Sequence, residues 1–438
     1  MLPTCRHSPS RANTCNFNRY KRSAWLIVLL ALILGGCASA KLTDARREFH
    51  AGYPTRAYDI LSKVKSYPAR DKLLFHLEMG VILFNLGRYE QSTAEFLAAA
   101  RLKKEQEIIS ISEQAGSLIT TEWLTEYKGE YGERLWIHTY LMMNFLLQAK
   151  YEDALVEAKQ ALELYEKYPE VLAEDYFTRT LIAICYELLG EYNDAYIEYK
   201  SLFSQLPDKK NLAGELYYLA HRLGFSDEST QYAAYLNKEE QDFWQNPPET
   251  EIVIFAELGR APDKIPGNIV VPPTIRFSFP QYRNDYDNDY FIDLIHPEKK
   301  GQISKTTTEV REVLVTSLEA RAKSMIVKET ARVAIKEALA QAIEENNGAA
   351  AGALTRAILF LSEEPDTRGW ETLPAEFALL RIRLHPGTHD LVIAIKDYYG
   401  NTIEKIDLPE VKLYPGQNFF KAIKWPEAMS EKVEESTN

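Results

Sequence analysis

The sequence predicts a multidomain protein, with an all-α tetratricopeptide-like helical solenoid followed by an α+β domain that contains an antiparallel sheet or sandwich. Three observations support this prediction. Up to about residue 236, apolar residues recur every three or four positions, and one short pattern returns several times. Beyond Asn246-Pro247-Pro248, short β-branched and aromatic runs alternate with Pro and Gly. A helical pattern over 308–345 interrupts these runs, and a further helix is expected at about 349–361.

The first 36 residues have the order of a secretory signal. Basic residues precede the apolar run Trp25 to Leu34, and the small pair Gly35-Gly36 follows. This run is far shorter than the roughly 20 residues that span a bilayer. Leu-Gly-Gly-Cys37 resembles the lipobox of bacterial lipoproteins, in which the cysteine is acylated and becomes the first mature residue. The resemblance implies lipid attachment at Cys37; an ordinary signal peptide with a chance cysteine is the alternative.

The composition is that of a globular protein, with 46% hydrophobic and 26% charged residues. Residues 1–36 hold five of the 51 basic residues and none of the 63 acidic ones, so the mature chain has 46 basic residues and a net charge of −17. Such a charge makes nucleic acid and anionic lipid head groups poor partners. Only Cys185 remains after the signal and the anchor, within an apolar helical pattern that predicts a buried thiol.

The helical region repeats a short turn-and-helix pattern. In each copy a small residue is followed by an aromatic residue two positions later and by a small residue five positions later. The three clearest copies are Gly87-Arg-Tyr89-Glu-Gln-Ser92, Ala149-Lys-Tyr151-Glu-Asp-Ala154 and Gly190-Glu-Tyr192-Asn-Asp-Ala195. Glycine permits a tight turn between two helices, and the small residue lets them approach closely.

This pattern resembles the tetratricopeptide repeat. Weaker copies occur at Gly52 and Gly224, each one family period from its neighbour, and an extra helix or loop is inserted around 101–130. The resemblance implies a concave groove that binds a peptide or protein segment and is lined by the inner residues of the first helices. The residues expected to line it are Phe75, Met79, Leu83, His138, Met142, Phe145, Thr178, Ile182 and Tyr186.

The remaining boundaries follow from composition. We expect a signal peptide over 1–36, a lipidated tether over 37–50, the repeat domain over 51–243, the α+β domain over 249–425 and a disordered tail over 426–438. Strands are predicted within 251–280 and 377–423, at 251–257, 274–279, 377–384, 390–395, 402–406 and 418–423.

Two clusters of metal-binding residue types are interpreted as ordinary surface. Asp285, Asp287, Asp289 and Asp293 lack the glycine and the final glutamate of a calcium loop, so an acidic solvated loop is expected. His385 and His389 flank Pro386-Gly387 and therefore do not share a helix face, and no third ligand is near in sequence. The sequence thus predicts no metal site and no cofactor.

Arg368 and Trp370 belong to the densest cluster of reactive residue types outside the repeats, at 362–370. They are interpreted as an ion pair and a core residue that join helix to sandwich, or alternatively as a recognition surface for a partner or a glycan. Asp366 to Ala375 and Arg383 to His389 resemble the C-terminal half of an uncharacterised family of bacterial tetratricopeptide-repeat lipoproteins, which implies no reaction.

The sequence therefore predicts a non-enzymatic envelope lipoprotein that acts as a protein-binding scaffold or assembly subunit, with unidentified envelope proteins as partners. No nucleophile elbow, phosphate loop or dinucleotide motif is present, and no catalytic residue is expected. Ala38-Ser39 differs from the inner-membrane retention signal, and by resemblance this favours an outer-membrane anchor facing the periplasm. The alternative is a periplasmic accessory protein or enzyme that acts on cell-wall or glycan ligands through its C-terminal domain.

Overall fold

The computed structural model describes residues 40–112, 126–271, 275–283, 290–297, 302–361 and 365–426. The expected signal, Cys37, the acidic loop at 285–289 and the tail from residue 427 lie outside the described residues. So does the middle of the expected insertion, at 113–125.

The N-terminal part of the chain is helical, and consecutive helices pack against each other in chain order. A single 3-10 turn, Ala69–Asp71, precedes the third helix. The helices are α1 (40–50), α2 (Pro54–Ser62), α3 (Lys72–Asn85), α4 (Tyr89–Ser112), α5 (Tyr131–Leu147), α6 (Tyr151–Lys167), α7 (Tyr176–Leu188), α8 (Tyr192–Gln205), α9 (Lys210–Leu223), α10 (Ser226–Ala233) and α11 (Lys238–Gln245).

The turns between paired helices share one geometry. Gly52, Gly87, Ala149, Gly190 and Gly224 all have a left-handed backbone, with φ between 56° and 85°. In every case the next residue donates its backbone N–H to the carbonyl five positions earlier, as a helix C-cap requires. The repeated pattern in the sequence therefore corresponds to a repeated turn in the structure.

The expected tether over 37–50 is in fact helical from residue 40. Leu42, Ala45 and Phe49 of α1 are buried against the other helices. Their spacing of three and four residues places them on one helix face, and burial of that face stabilises the helix. The N-terminal region thus joins the folded core at residue 40.

The C-terminal part contains a mixed four-stranded sheet in the order β5-β6-β1-β9, an antiparallel three-stranded sheet in the order β4-β7-β8, and the hairpin β2-β3. The strands are β1 (Glu251–Leu258), β2 (Lys264–Val271), β3 (Ile275–Tyr282), β4 (Phe291–Ile295), β5 (Ile303–Glu309), β6 (Glu376–Arg383), β7 (Gly387–Lys396), β8 (Thr402–Leu413) and β9 (Phe419–Trp425).

The expected antiparallel sheet is only partly correct, because β9 pairs with β1 in parallel. More than 150 residues separate the two strands, so no short hairpin forces them to run in opposite directions. Strands β2, β4 and β5 were not expected. They are short or contain proline, and they lack a long alternating apolar pattern.

The molecule has three layers at its centre. Alternate residues of β1 and β6 point to opposite faces of the four-stranded sheet. Ile252, Ile254 and Leu380 pack against the three-stranded sheet, whereas Phe255 and Phe377 belong to the core formed with the helices. The repeat helices therefore cover one face of a β-sandwich.

A helical hairpin is inserted between β5 and β6, close to the positions expected. It consists of α12 (Val310–Asn347) and α13 (Ala349–Leu361). Val310, Val313 and Leu314 at the start of α12 are buried in the core with the repeat helices. None of the described helices is long and apolar enough to cross a membrane.

Candidate functional site at the helix–sheet interface

Aromatic side chains fill the space between the repeat helices and the four-stranded sheet. Trp136 and Phe177 each lie 18 residues before the small residue of their repeat, so they occupy equivalent positions. Both contact Phe377 of β6, with ring centroids 5.9 and 5.2 Å apart respectively, and Phe177 also contacts Phe255 of β1 at 6.4 Å. The sheet therefore occupies the face of α5 and α7 on which a concave binding groove was expected.

The nine residues expected to line that groove do not form an open surface. All except His138 are buried, with no more than 8% of each residue exposed. His138 is partly buried and hydrogen bonds through Nδ1 to Glu157 of α6, 2.7 Å away. Helices such as α3 are apolar around most of their circumference, so the sequence alone does not reveal which stripe faces inward.

A buried ion-pair network joins α7 to β6 and β1. Glu187 lies 2.8 Å from a guanidinium nitrogen of Arg381 and 2.8 Å from one of Arg383, and Arg381 also donates to Glu251 at 2.5 Å. Burial alone would raise the pKa of Glu187, but the two guanidinium groups lower it below its ordinary value. Tyr199 of α8 accepts a hydrogen bond from Arg381 and donates one to Glu187, which closes the network.

A second buried network joins α1 and α3 to the segment before β6. Arg46 of α1 is 2.6 Å from Glu78 of α3 and 2.7 Å from Glu371. Glu78 also accepts hydrogen bonds from the backbone N–H groups of Glu371 and Thr372. Because Glu78 is fully buried, these donors and the guanidinium are needed to offset its desolvation.

Arg368 and Trp370 lie within this same junction. Trp370 is 2% exposed and packs against Phe96 and Tyr140 of the repeat helices, with ring centroids 5.8 and 5.6 Å apart. Arg368 pairs with Asp71 at 3.0 Å and with Asp366 at 2.7 Å. These contacts correspond to an ion pair and a core residue that join helix to sandwich.

Glu257 of β1 forms a third polar contact across the interface. It accepts hydrogen bonds from Tyr140 Oη of α5 and from Asn85 Nδ2 of α3, the latter at 2.9 Å. Lys424 Nζ of β9 lies 4.0 Å from Glu257. Burial lowers the pKa of Lys424, against the opposing effect of Glu257.

The start of α12 is held by a further buried carboxylate. Glu130 is 2.8 Å from Lys264 of β2 and 2.6 Å from Arg321 of α12. Burial would raise the pKa of Glu130, but these two cations lower it to about 2. The hairpin β2-β3 and α12 are therefore tied electrostatically to the residue that caps α5.

Sequence reasoning missed Glu78, Glu187, Glu257, Arg381 and Arg383. The available signal was a charged residue inside an apolar run, as in Leu-Leu-Arg-Ile-Arg-Leu at 379–384. Such residues are almost never fully buried unless they are paired. The sequence nevertheless gave no indication of which acid would meet which base.

The other candidate residues do not assemble into a metal site. Cys185 is buried, as expected, and its pKa is raised by burial. Asp293 forms ion pairs with Lys305 and Lys396, and His389 accepts or donates a hydrogen bond at the His385 carbonyl and at His296. Across the described ranges, no group of three or more His, Cys, Asp or Glu side chains is placed to hold a metal ion.

No protein-family model matches this chain, and no curated protein is similar to it. Solved structures of MamA show a weak similarity. MamA 41-end from Desulfovibrio magneticus RS-1 is 16% identical, over 48% of this chain and 97% of that one, with a TM-score of 0.32. A MamA RS-1 double mutant is 14% identical over 48% and 97%, with a TM-score of 0.34. These scores are too low to transfer a fold or a function.

Proposed function

We propose that this chain is an envelope lipoprotein, anchored to the outer membrane through Cys37, that serves as a scaffold in a protein assembly. In this proposal the repeats form a tetratricopeptide-like solenoid whose inner face holds the chain's own β-sandwich. Partner proteins then bind to surfaces other than the inner face. The lipobox resemblance supports the anchor, and the repeated turns support the solenoid.

One observation carries the scaffold proposal, namely the filled helix–sheet interface. Large aromatic side chains and paired charges occupy it, with Trp136, Phe177 and Phe377 each at most 1% exposed. An interface of this kind fixes the two parts relative to each other, because separation would expose both apolar surface and buried charges. A tightly packed junction favours a scaffold over an enzyme with an active-site cleft between the two parts.

The anchor is tested by replacing Cys37 with Ser in the full chain and following the protein in its own cells. We expect the parent protein to incorporate labelled palmitate and to sediment with outer membranes, and the C37S variant to do neither. Palmitate incorporation by C37S, or a parent protein found entirely in the soluble fraction, would contradict the anchor.

The scaffold is tested by gentle detergent extraction and native gel electrophoresis of the same membranes. We expect the parent protein to migrate in a discrete complex that is larger than its own 50.2 kDa. Migration as a free monomer under every extraction condition would contradict a role in a stable assembly.

A further inference from the structure

A cavity of about 540 Å³ lies at the margin of the helix–sheet interface, beside strand β9. Four consecutive residues of β9 line it, Lys421 to Lys424. Successive side chains of a strand point to opposite faces of the sheet, so four in a row share one cavity only if it runs along the edge of the strand. The cavity therefore follows the edge of β9 rather than either face.

That edge is not paired with another strand in the part of the chain that the structure describes. Strand β9 is the last strand of the order β5-β6-β1-β9, and its only described neighbour is β1. Strand β8 also ends its own sheet, and Ile406 to Leu408 of β8 line the opposite wall of the cavity. The sandwich is thus open on this side, with the edges of two strands facing one cavity.

The rest of the wall is formed by the ends of repeat helices. Phe49 of α1, Pro54 of α2 and Phe84 to Gly87 at the end of α3 contribute to it. Residues of β9 with even numbers face these helices, since Phe420 and Ala422 pack against the helical core. The cavity thus offers apolar surface on its helix side next to a row of backbone hydrogen-bonding groups.

Lys424 places a cation in this cavity with few partners. Its ammonium lies 4.7 Å from the centroid of the Phe49 ring and 4.0 Å from Glu257, beyond hydrogen-bonding distance. Both oxygens of Glu257 already accept hydrogen bonds, from Tyr140 and Asn85. An incoming carboxylate would supply the acceptor that Lys424 lacks, and burial makes such a charged hydrogen bond stronger.

The sequence of β9, Phe-Phe-Lys-Ala-Ile-Lys-Trp, contains two lysines and no acid. Lysine on an edge strand opposes pairing with a second copy of the same strand, because like charges would then face each other. The same lysines favour a partner strand with acids at the matching positions. Lys421 and Lys424 are three residues apart, so the matching acids are also three apart, with apolar residues between them opposite Ala422 and Ile423.

From these observations we infer that the edge of β9 is a docking site for an extended segment of a partner protein, which adds a strand carrying two acidic residues three apart. Strand addition of this kind obtains affinity from backbone hydrogen bonds and specificity from side-chain contacts. This inference rests on the proposed scaffold function and names one surface through which the scaffold binds its partner.

The test uses the full chain and two fluorescent peptides that differ only in charge, Ser-Thr-Glu-Val-Val-Glu-Thr-Ser and Ser-Thr-Lys-Val-Val-Lys-Thr-Ser, both capped. Fluorescence anisotropy measures their affinities, and hydrogen exchange measures protection of the β9 amides. We expect the acidic peptide to bind at least roughly tenfold more tightly, because charged hydrogen bonds differ by this much or more. Its binding should also slow exchange in 419–425.

Two lysine variants identify the contact. Lys424→Met retains the alkyl stem and should remove most of the preference for the acidic peptide. The control Lys412→Met makes the same change on the exposed side of β8, outside the cavity, and should leave the preference intact. Circular dichroism on both variants establishes that they remain folded. If Lys424→Met unfolds the chain, Lys421→Met provides the same comparison.

Three results would overturn the inference. The first is equal or undetectable binding of the two peptides, and the second is peptide binding without protection of β9. The third is protection of the outer β9 amides in the free protein that is lost when residues 427–438 are removed, since the chain's own tail would then occupy the edge. None of these results affects palmitate labelling or the native complex, so the scaffold proposal would fail or survive separately.

Discussion

The two sides of the repeat helices pack against very different surroundings. On one side, Trp136 and Phe177 are sealed against the sheet, and Glu187 meets two arginines of β6. On the other side, ion pairs connect each first helix to the second helix of its own pair. They join His76 to Glu95, His138 to Glu157 and Arg179 to Glu198, each across 19 residues.

This difference shows how one repeated framework serves two purposes. The pairs with a constant 19-residue separation recur because each repeat builds its own helix pair, and they need no other part of the chain. The contacts on the sheet side do not recur in the same form, because each repeat meets a different strand. Stability that depends on the C-terminal domain is therefore concentrated on the sheet side.

The largest expected effect follows from breaking the buried charge network on the sheet side. Replacing Arg381 with Met leaves Glu187 and Glu251 with less compensation inside the core. We expect the free energy of unfolding to fall by roughly 3–5 kcal/mol, as measured by urea denaturation. Arg47→Met, which removes a surface pair with Asp44, is the control and should change stability by less than about 1 kcal/mol. Equal effects of the two variants would contradict the account.

Removing an aromatic ring from the sheet side should cost nearly as much. Phe177→Ala creates a cavity between α7, β1 and β6, and we expect a loss of roughly 3–5 kcal/mol in the same measurement. The matched control is Ile197→Ala on α8, where the side chain is 50% exposed and little should change. A small effect of Phe177→Ala would mean that the sheet does not press on this helix.

A pH experiment distinguishes paired from poorly compensated carboxylates. Glu376 lies opposite Glu309 at the end of β6, and burial, reinforced by Glu309, raises its pKa to about 8. The folded state therefore retains a proton that the unfolded state releases near its ordinary pKa, so stability declines as pH rises from about 4.5 to 8. Glu376→Gln should remove this decline, so that its Tm exceeds that of the parent more at pH 8.5 than at pH 5. Parallel Tm profiles would refute this explanation.

The smallest expected effect concerns the turns, which both sides share. Ala149 has φ of 56° where the other repeats have glycine, so Ala149→Gly should stabilise the chain by up to about 1 kcal/mol. Gly87→Ala makes the reverse change where an added Cβ would meet no atom within 4 Å, and it should destabilise by a similar amount. Thermal unfolding of the two variants measures both changes. Shifts of the same sign would contradict the proposed equivalence of the turns.

Much of the fold could be predicted because its signals are local. The left-handed turns at Gly87 and Gly190 are encoded by glycine next to a helix end, and α12 and α13 are encoded by their apolar periodicity and the break at Gly348. The interpretation of Trp370 as a core residue had a similar basis, since an aromatic residue between a helix and a strand has two apolar surfaces to join.

The occupied inner face could not be predicted, because it depends on a contact between distant parts of the chain. Phe177 and Phe377 are 200 residues apart, and neither sequence pattern specifies the other. The apolar stripe chosen from the sequence, with Met142 and Ile182, lies beside the one that meets the sheet. Nor did the sequence indicate that β9 would lie parallel to β1 and leave an edge unpaired.

The central claim is that the sheet stays on the inner face of the repeats in the native protein. Cysteine accessibility tests it directly with Val253→Cys, a change of small volume at a fully buried position that faces the helices, and with Ile403→Cys at an exposed position on β8. Each variant is treated with a maleimide that cannot cross membranes, both purified and in cells with a permeabilised outer membrane. We expect Ile403→Cys to be labelled within minutes and Val253→Cys only after unfolding in urea. Comparable labelling of the two folded variants would show that the inner face is open, and would contradict the account.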